Sequence, residues 1–158
     1  MSKAINLEAA VWITQLSKRT LWRRLSEDQI TRQDNDDEGR TMLTFEDIVP
    51  MLCIPVAQKD YDLIVEAASG DAEAQNNLAL LFLDADKPDI GLHWLTLAAD
   101  QGHPDAMHNL SKLYVQGSGT PQNDSLGLMW LAKAAALGHV IAGEQITALT
   151  RFRKAYLF

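Results

Sequence analysis

The chain has 158 residues, 47% of them hydrophobic and 22% charged, enough for one large or two small globular domains with a buried core. Its formal charge of −7 opposes unaided binding to nucleic acid or an anionic membrane, and its single cysteine, Cys53, excludes an intramolecular disulfide and argues against a thiolate zinc site. The opening "MSKAINLEAAVW" lacks the apolar run of a signal peptide and no stretch reaches the roughly 18 apolar residues of a membrane span, so a cytoplasmic location is expected.

Two short helices come first. Asn6 is placed to cap "LEAAVWI" and Ser17 to cap "KRTLWRRL", with "TQL" as the turn between them. "ITRQ" and "RTML" then alternate as short strands do, joined by "DNDDEG", and Thr44 caps a third helix, "FEDIVPML", that Pro50 disturbs near its end. Cys53 follows as a small apolar residue expected to be buried at the end of that helix.

The residues "LEAAVWITQLSKRTLWRRLSEDQI" and "GRTMLTFEDI", in this order of helix, turn, helix, two-stranded wing and helix, resemble the winged helix-turn-helix of the MerR and excisionase type over residues 5 to 53. The resemblance implies that the second helix enters a DNA major groove. Lys18, Arg19, Arg23 and Arg24 would then be the candidate DNA contacts, with Leu21 and Leu25 facing inward. Trp22 is expected to pack against the wing, the alternative being contact with a base or a partner. Asp28 stands where that family often has glycine.

The wing opposes the DNA reading. Asp34, Asp36, Asp37 and Glu38 set four carboxylates in five positions, which would repel phosphates. This run is a solvated hairpin tip, a mimic of nucleic acid, or a docking surface for a basic partner.

From residue 56 the chain repeats itself. Gly70, Gly102 and Gly138 are 32 and 36 residues apart, Leu78 and Leu110 are 32 apart, and Trp94 and Trp130 are 36 apart. The four-residue difference falls in one connection, "DADKPD" against "QGSGTPQND". Leu78, Leu81 and Phe82, like Leu110, Leu113 and Tyr114, follow helical spacing. Each unit carries a second helix, "IGLHWLTLAAD" or "LGLMWLAKAAA", with an alanine pair at 98/99 or 134/135 that allows close approach and a glycine that ends it.

The residues "GDAEAQNNLALLFL…GLHWLTLAADQGH" and "PDAMHNLSKLYVQGSGTPQNDSLGLMWLAKAAALGH" resemble the Sel-one-like repeat, one of the tetratricopeptide-like helical repeats, over roughly residues 60 to 146. The fold class expected is therefore mainly α: an α-solenoid of about two such repeats over residues 56–158, preceded by a small winged helix-turn-helix domain over residues 1–55. Asn76 and His108 depart from the family's usual tyrosine, and Ala79 and Ser111 from its usual glycine. "DYDLIVEAAS" and "VIAGEQITALTRFRKAYLF" are expected to cap the stack, the basic and aromatic end of the second being the alternative site of partner docking.

The resemblance implies a protein or peptide partner bound on the inner helix faces, where Gln75, Asn76, Met107 and His108 are the candidate contacts. No phosphate loop, dinucleotide fingerprint or paired-histidine zinc motif is present, and His103 and His139, at equivalent positions after glycine, read as structural residues at helix starts. The chain is accordingly expected to be a non-enzymatic adaptor without cofactor or metal. The alternative is a transcriptional regulator whose first domain holds DNA, which winged helices of this type commonly do as dimers. The sequence fixes neither the partner nor the oligomeric state.

Overall fold

The computed structural model describes residues 2–157, apart from the side chains of residues 153, 154, 156 and 157. Of the basic and aromatic tail end "RFRKAYLF", the side chains of Arg151, Phe152 and Ala155 are described and the rest lie outside the described residues. Two compact units are present, Met1–Ala74 and Gln75–Phe158. The division falls 19 residues beyond the 55/56 boundary expected from sequence.

In the first unit, strand β1 (Ala4–Asn6) leads into helices α1 (Leu7–Thr14) and α2 (Lys18–Ser26). Strands β2 (Arg32–Gln33) and β3 (Met42–Thr44) follow, then helix α3 (Phe45–Ile48), a 3-10 turn over Val49–Met51 and helix α4 (Tyr61–Ser69). The antiparallel sheet has the order β1-β3-β2, with Ile5 and Arg32 both opposite Leu43. Ile5, Ile13, Leu21, Leu43, Phe45 and Ile48 form its core.

Local chemistry explains the helix starts. The Asn6 and Ser17 side chains accept the amides of Ala9 and Thr20, as expected of N-caps. Thr44 sits at the cap position of α3 but makes no capping bond; its hydroxyl accepts from Gln33 across the hairpin instead. Asp28 adopts φ +54°, the left-handed conformation that a glycine supplies at least cost.

The α4 helix, expected to cap the repeats, belongs to this first unit for specific reasons. The buried Asn6 amide donates to the Ala68 carbonyl at 2.8 Å, Lys3 pairs with Asp62, and the Phe45 and Tyr61 rings meet edge to face at 5.5 Å. Cys53 is only half-buried and lies past the 3-10 turn, where its amide donates to the Ile13 carbonyl.

The second unit is built of helices α5 (Ala72–Asp84), α6 (Pro88–Asp100), α7 (Pro104–Gln116), α8 (Asp124–Ala136) and α9 (Val140–Leu157), the first of which starts before the unit boundary. Gly102 and Gly138 terminate α6 and α8 with φ of +88° and +89°, and the amides of His103 and His139 reach back to the carbonyls of Ala98 and Ala134.

Close helix approach is set chiefly by glycines inside α6 and α8. A Cβ on Gly91 would stand 2.7 Å from Leu83 Cδ2 and 3.3 Å from the Ala79 carbonyl oxygen; on Gly127 it would stand 2.5 Å from Val115 Cγ2 and 3.1 Å from the Ser111 carbonyl oxygen. The two contacts are the same contact in successive units. The four-residue difference lies between α7 and α8, whose connection runs over residues 117–123 against 85–87 in the preceding unit. Its Gly119, at φ +70°, packs so tightly that a Cβ would stand 2.5 Å from the Pro88 carbonyl.

Along α9 the register changes character. Thr147 and Arg151 stand 36 residues after Ser111 and Val115, the pair that seats Gly127. Both are exposed. A polar hydroxyl and a guanidinium do not offer the apolar seat that Leu83 and Val115 offer, which suits α9 to end a stack.

Candidate functional site

Of the four expected partner contacts, three are not on the surface. Gln75 and Asn76 are each 4% exposed and Met107 is 6% exposed. Gln101 donates its amide to Gln75 Oε1 at 2.8 Å, and Asn109 donates to Asn76 Oδ1 at 3.2 Å, so these carboxamides tie neighbouring helices together. A buried amide must find such partners, because leaving it unpaired is costly. His108 alone is accessible, and it is half-buried.

The histidines after the glycines cap the following helices. The Ala106 amide donates to His103 Nδ1 at 3.3 Å and the Ala142 amide to His139 Nδ1 at 3.1 Å, while Asp71 does the same work for Ala74 at 2.7 Å in the first repeat. An Nδ1 that accepts leaves the ring proton on Nε2. In His139 that Nε2 faces Asp105 Oδ1 at 3.4 Å. The His108 ring lies 4.5 Å from the His139 ring, and its Nε2 is 3.2 Å from Gln145 Oε1. Burial, with a smaller electrostatic contribution from the neighbouring His139, pushes the His108 imidazole below its ordinary pKa. These contacts are structural. Among the described residues no group of three or more His, Cys, Asp or Glu could hold a metal ion.

His108 opens onto a groove of the unit. Stripes from α7 and α9 face each other there across residues of α8, enclosing about 470 Å³. Its apolar walls include Val115, Leu128, Leu149 and Phe152, each between 43% and 67% exposed. His108, Lys112, Gln116 and Gln145 supply the polar edge. Large apolar side chains converging at such exposure form a surface suited to covering by a partner, since isolated soluble surfaces rarely gather them.

The four cations expected to meet DNA do not share one environment. Lys18 is paired with Glu8 at 2.6 Å, and Arg24 turns onto Met51, its Nη1 3.0 Å from the sulfur. Arg19 and Arg23 are exposed on one face of α2 with Trp22, which keeps 44% of its surface in solvent and so does not reach the burial expected of a ring packed on the wing. Leu21 is fully buried and Leu25 half-buried.

The acidic hairpin tip is organised by its own arginine. Asp36 accepts the amides of Glu38 and Arg40 and the Arg40 guanidinium at 2.6 Å, and Arg40 also meets Glu38 at 3.1 Å. Desolvation works to raise the Asp36 pKa, but the Arg40 bonds and charge outweigh it and hold the carboxyl below its ordinary value.

Comparison with known proteins bears on the helical unit. Residues 72–103 and 104–139 match the family model described as Sel1 repeat. Among solved structures, the Sel1 repeat protein from Oxalobacter formigenes is similar at a TM-score of 0.53 and 29% identity, over 60% of this chain. The match spans 29% of that protein's length. No curated protein matches the chain. The two Sel1 matches begin at the helix starts capped by Asp71 and His103, and the second ends on His139.

Sequence reasoning missed Lys112, Val115, Leu128, Leu149 and Phe152. One signal for them was present: Gln145, Ala148, Leu149 and Phe152 fall at i, i+3, i+4 and i+7 on α9, an apolar-leaning stripe beyond the last Sel1 match.

Proposed function

We propose that this chain is a non-enzymatic adaptor of the cytoplasm, acting in regulation or signalling, which holds a partner protein on its Sel1 repeats. The groove between α7, α8 and α9 carries this reading, because four half-exposed apolar residues line it. Sel1 repeats are generally protein-interaction modules, and among the described residues no helix is long and apolar enough to cross a membrane. Replacing Leu128 or Leu149 by glutamate tests the proposal. Partner capture by the immobilised chain should fall while circular dichroism stays unchanged, and capture indifferent to both substitutions would reject it.

A second reading, a DNA-binding regulator, is favoured by Arg19 and Arg23, exposed together on α2. The run of α1, turn, α2, β2–β3 hairpin and α3 supports descent from a MerR/excisionase-type winged helix, with α2 in the recognition position. Asp34 and Asp37 on the hairpin argue against it by repelling phosphate. Fluorescence anisotropy against random duplex across a salt series decides between them. Retention that weakens with salt and vanishes in an Arg19→Ala/Arg23→Ala variant would establish the regulator, and no retention at low salt would leave the first unit as a protein-docking module.

A further inference from the structure

We infer that the groove between α7 and α9 takes a short amphipathic peptide segment in which a large apolar side chain stands beside an aspartate or glutamate. This deepens the adaptor reading and rests on it.

The charge of the groove is the observation that selects this occupant. The chain carries 21 Asp and Glu against 14 Lys and Arg, yet among the described residues no carboxylate lines the groove. Among the described residues its ionisable lining groups are Lys112 and His108, and the other polar side chains there, Ser111, Gln116 and Gln145, are neutral. Among the described residues Lys112 is paired with no carboxylate. Asp105, the carboxylate whose charge acts on His108, is already engaged by His139.

An ammonium at the edge of an apolar, partly enclosed surface favours an anion beside the apolar contact and disfavours a cation there. His108, Lys112 and Gln116 follow one another at intervals of four along α7, a strip of about 12 Å at 1.5 Å per residue. The strip matches two turns of a partner helix or four extended residues. Val115, Leu128, Leu149 and Phe152 would receive the apolar side chain and Lys112 the carboxylate.

The test uses the full chain and a phage-displayed library of random dodecapeptides, with the enriched peptides then titrated by fluorescence anisotropy at pH 7.5. Enriched peptides should pair a Leu, Ile, Phe or Trp with Asp or Glu. Their affinity should fall tenfold or more with Lys112→Glu, less with Lys112→Gln, and not at all with Lys59→Glu in the first unit. Leu149→Glu should also abolish binding, with melting curves confirming that each variant is folded.

Peptides that need Leu149 but show no acidic preference and ignore Lys112→Glu would overturn the inference while leaving the adaptor reading standing. A basic consensus would do the same. Failure to enrich any peptide would overturn both, and a chain that sediments as a dimer dissociated by Phe152→Glu would assign the groove to a second copy and overturn the inference.

Discussion

Gly127 and Val115 are packed so closely that a methyl group on the glycine would stand 2.5 Å from the valine Cγ2. Two opposing effects therefore meet in Gly127→Ala. Alanine gains about 1 kcal/mol of helix propensity, and overpacking costs roughly 1–3 kcal/mol. The Ser111 carbonyl oxygen, 3.1 Å from the same point, is backbone and yields less readily than a side chain. The clash should win. Thermal melting should show a lower Tm for Gly127→Ala, and adding Val115→Ala should recover part of the loss; an unchanged or raised Tm in the single variant would show that α7 and α8 can move apart freely.

Asn6 performs two jobs at once in the first unit. Its Oδ1 caps α1 and its Nδ2 satisfies the buried Ala68 carbonyl. Losing a cap costs about 1 kcal/mol and stranding a buried polar group about 1–3 kcal/mol. Asn6→Ala should therefore destabilise by about 2–4 kcal/mol in urea unfolding, and Asn6→Ser, which keeps only the cap, by less. Equal losses would show that the cap contributes nothing, and no loss in Asn6→Ser would show that the bond to Ala68 contributes nothing.

Acid should weaken the second unit through His108. Its folded pKa lies below the unfolded value of about 6.5, so the unfolded chain binds more protons across that interval. Stability from this source is complete above the ordinary value and is lost as pH falls toward and through the lowered one. Comparing urea midpoints at pH 7.5 and 5.5, the wild type should lose more than His108→Gln. Identical losses would place the acid sensitivity elsewhere.

Asn76 offers a test that separates architecture from recognition. Because it accepts from Asn109 while almost fully buried, Asn76→Ala should lower stability by about 1–3 kcal/mol. Partner capture well below the melting temperature should remain intact. A variant that melts normally but captures nothing would return Asn76 to the binding surface.

The repeat helices and their ends were legible in the sequence because their signals are local. A glycine after an alanine pair demands a left-handed conformation wherever it occurs, and the 32- and 36-residue spacings repeat that demand. Strand β1 was not legible, since three residues are too few to show alternation and their partner β3 lies far along the chain. Gln75 and Asn76 were misplaced for a related reason. Their amides read as surface groups until Gln101 and Asn109, 26 and 33 residues away, are known to bond them. Arg24 likewise looks like Arg23 in sequence, and only the fold turns it onto Met51. The groove draws on three helices and has no single-segment signature.

The contact of Gly119 with Pro88 gives the longer connection a role in setting superhelical pitch. Residues 117–123 do not hang free between α7 and α8, because the loop bears on the first turn of α6 in the preceding unit. The rotation from one repeat to the next, which determines the curvature of a solenoid, is thereby wedged by a loop as well as by helix packing. Lengthening or shortening this connection would change the angle between successive units, and with it the width available to any peptide lying across them.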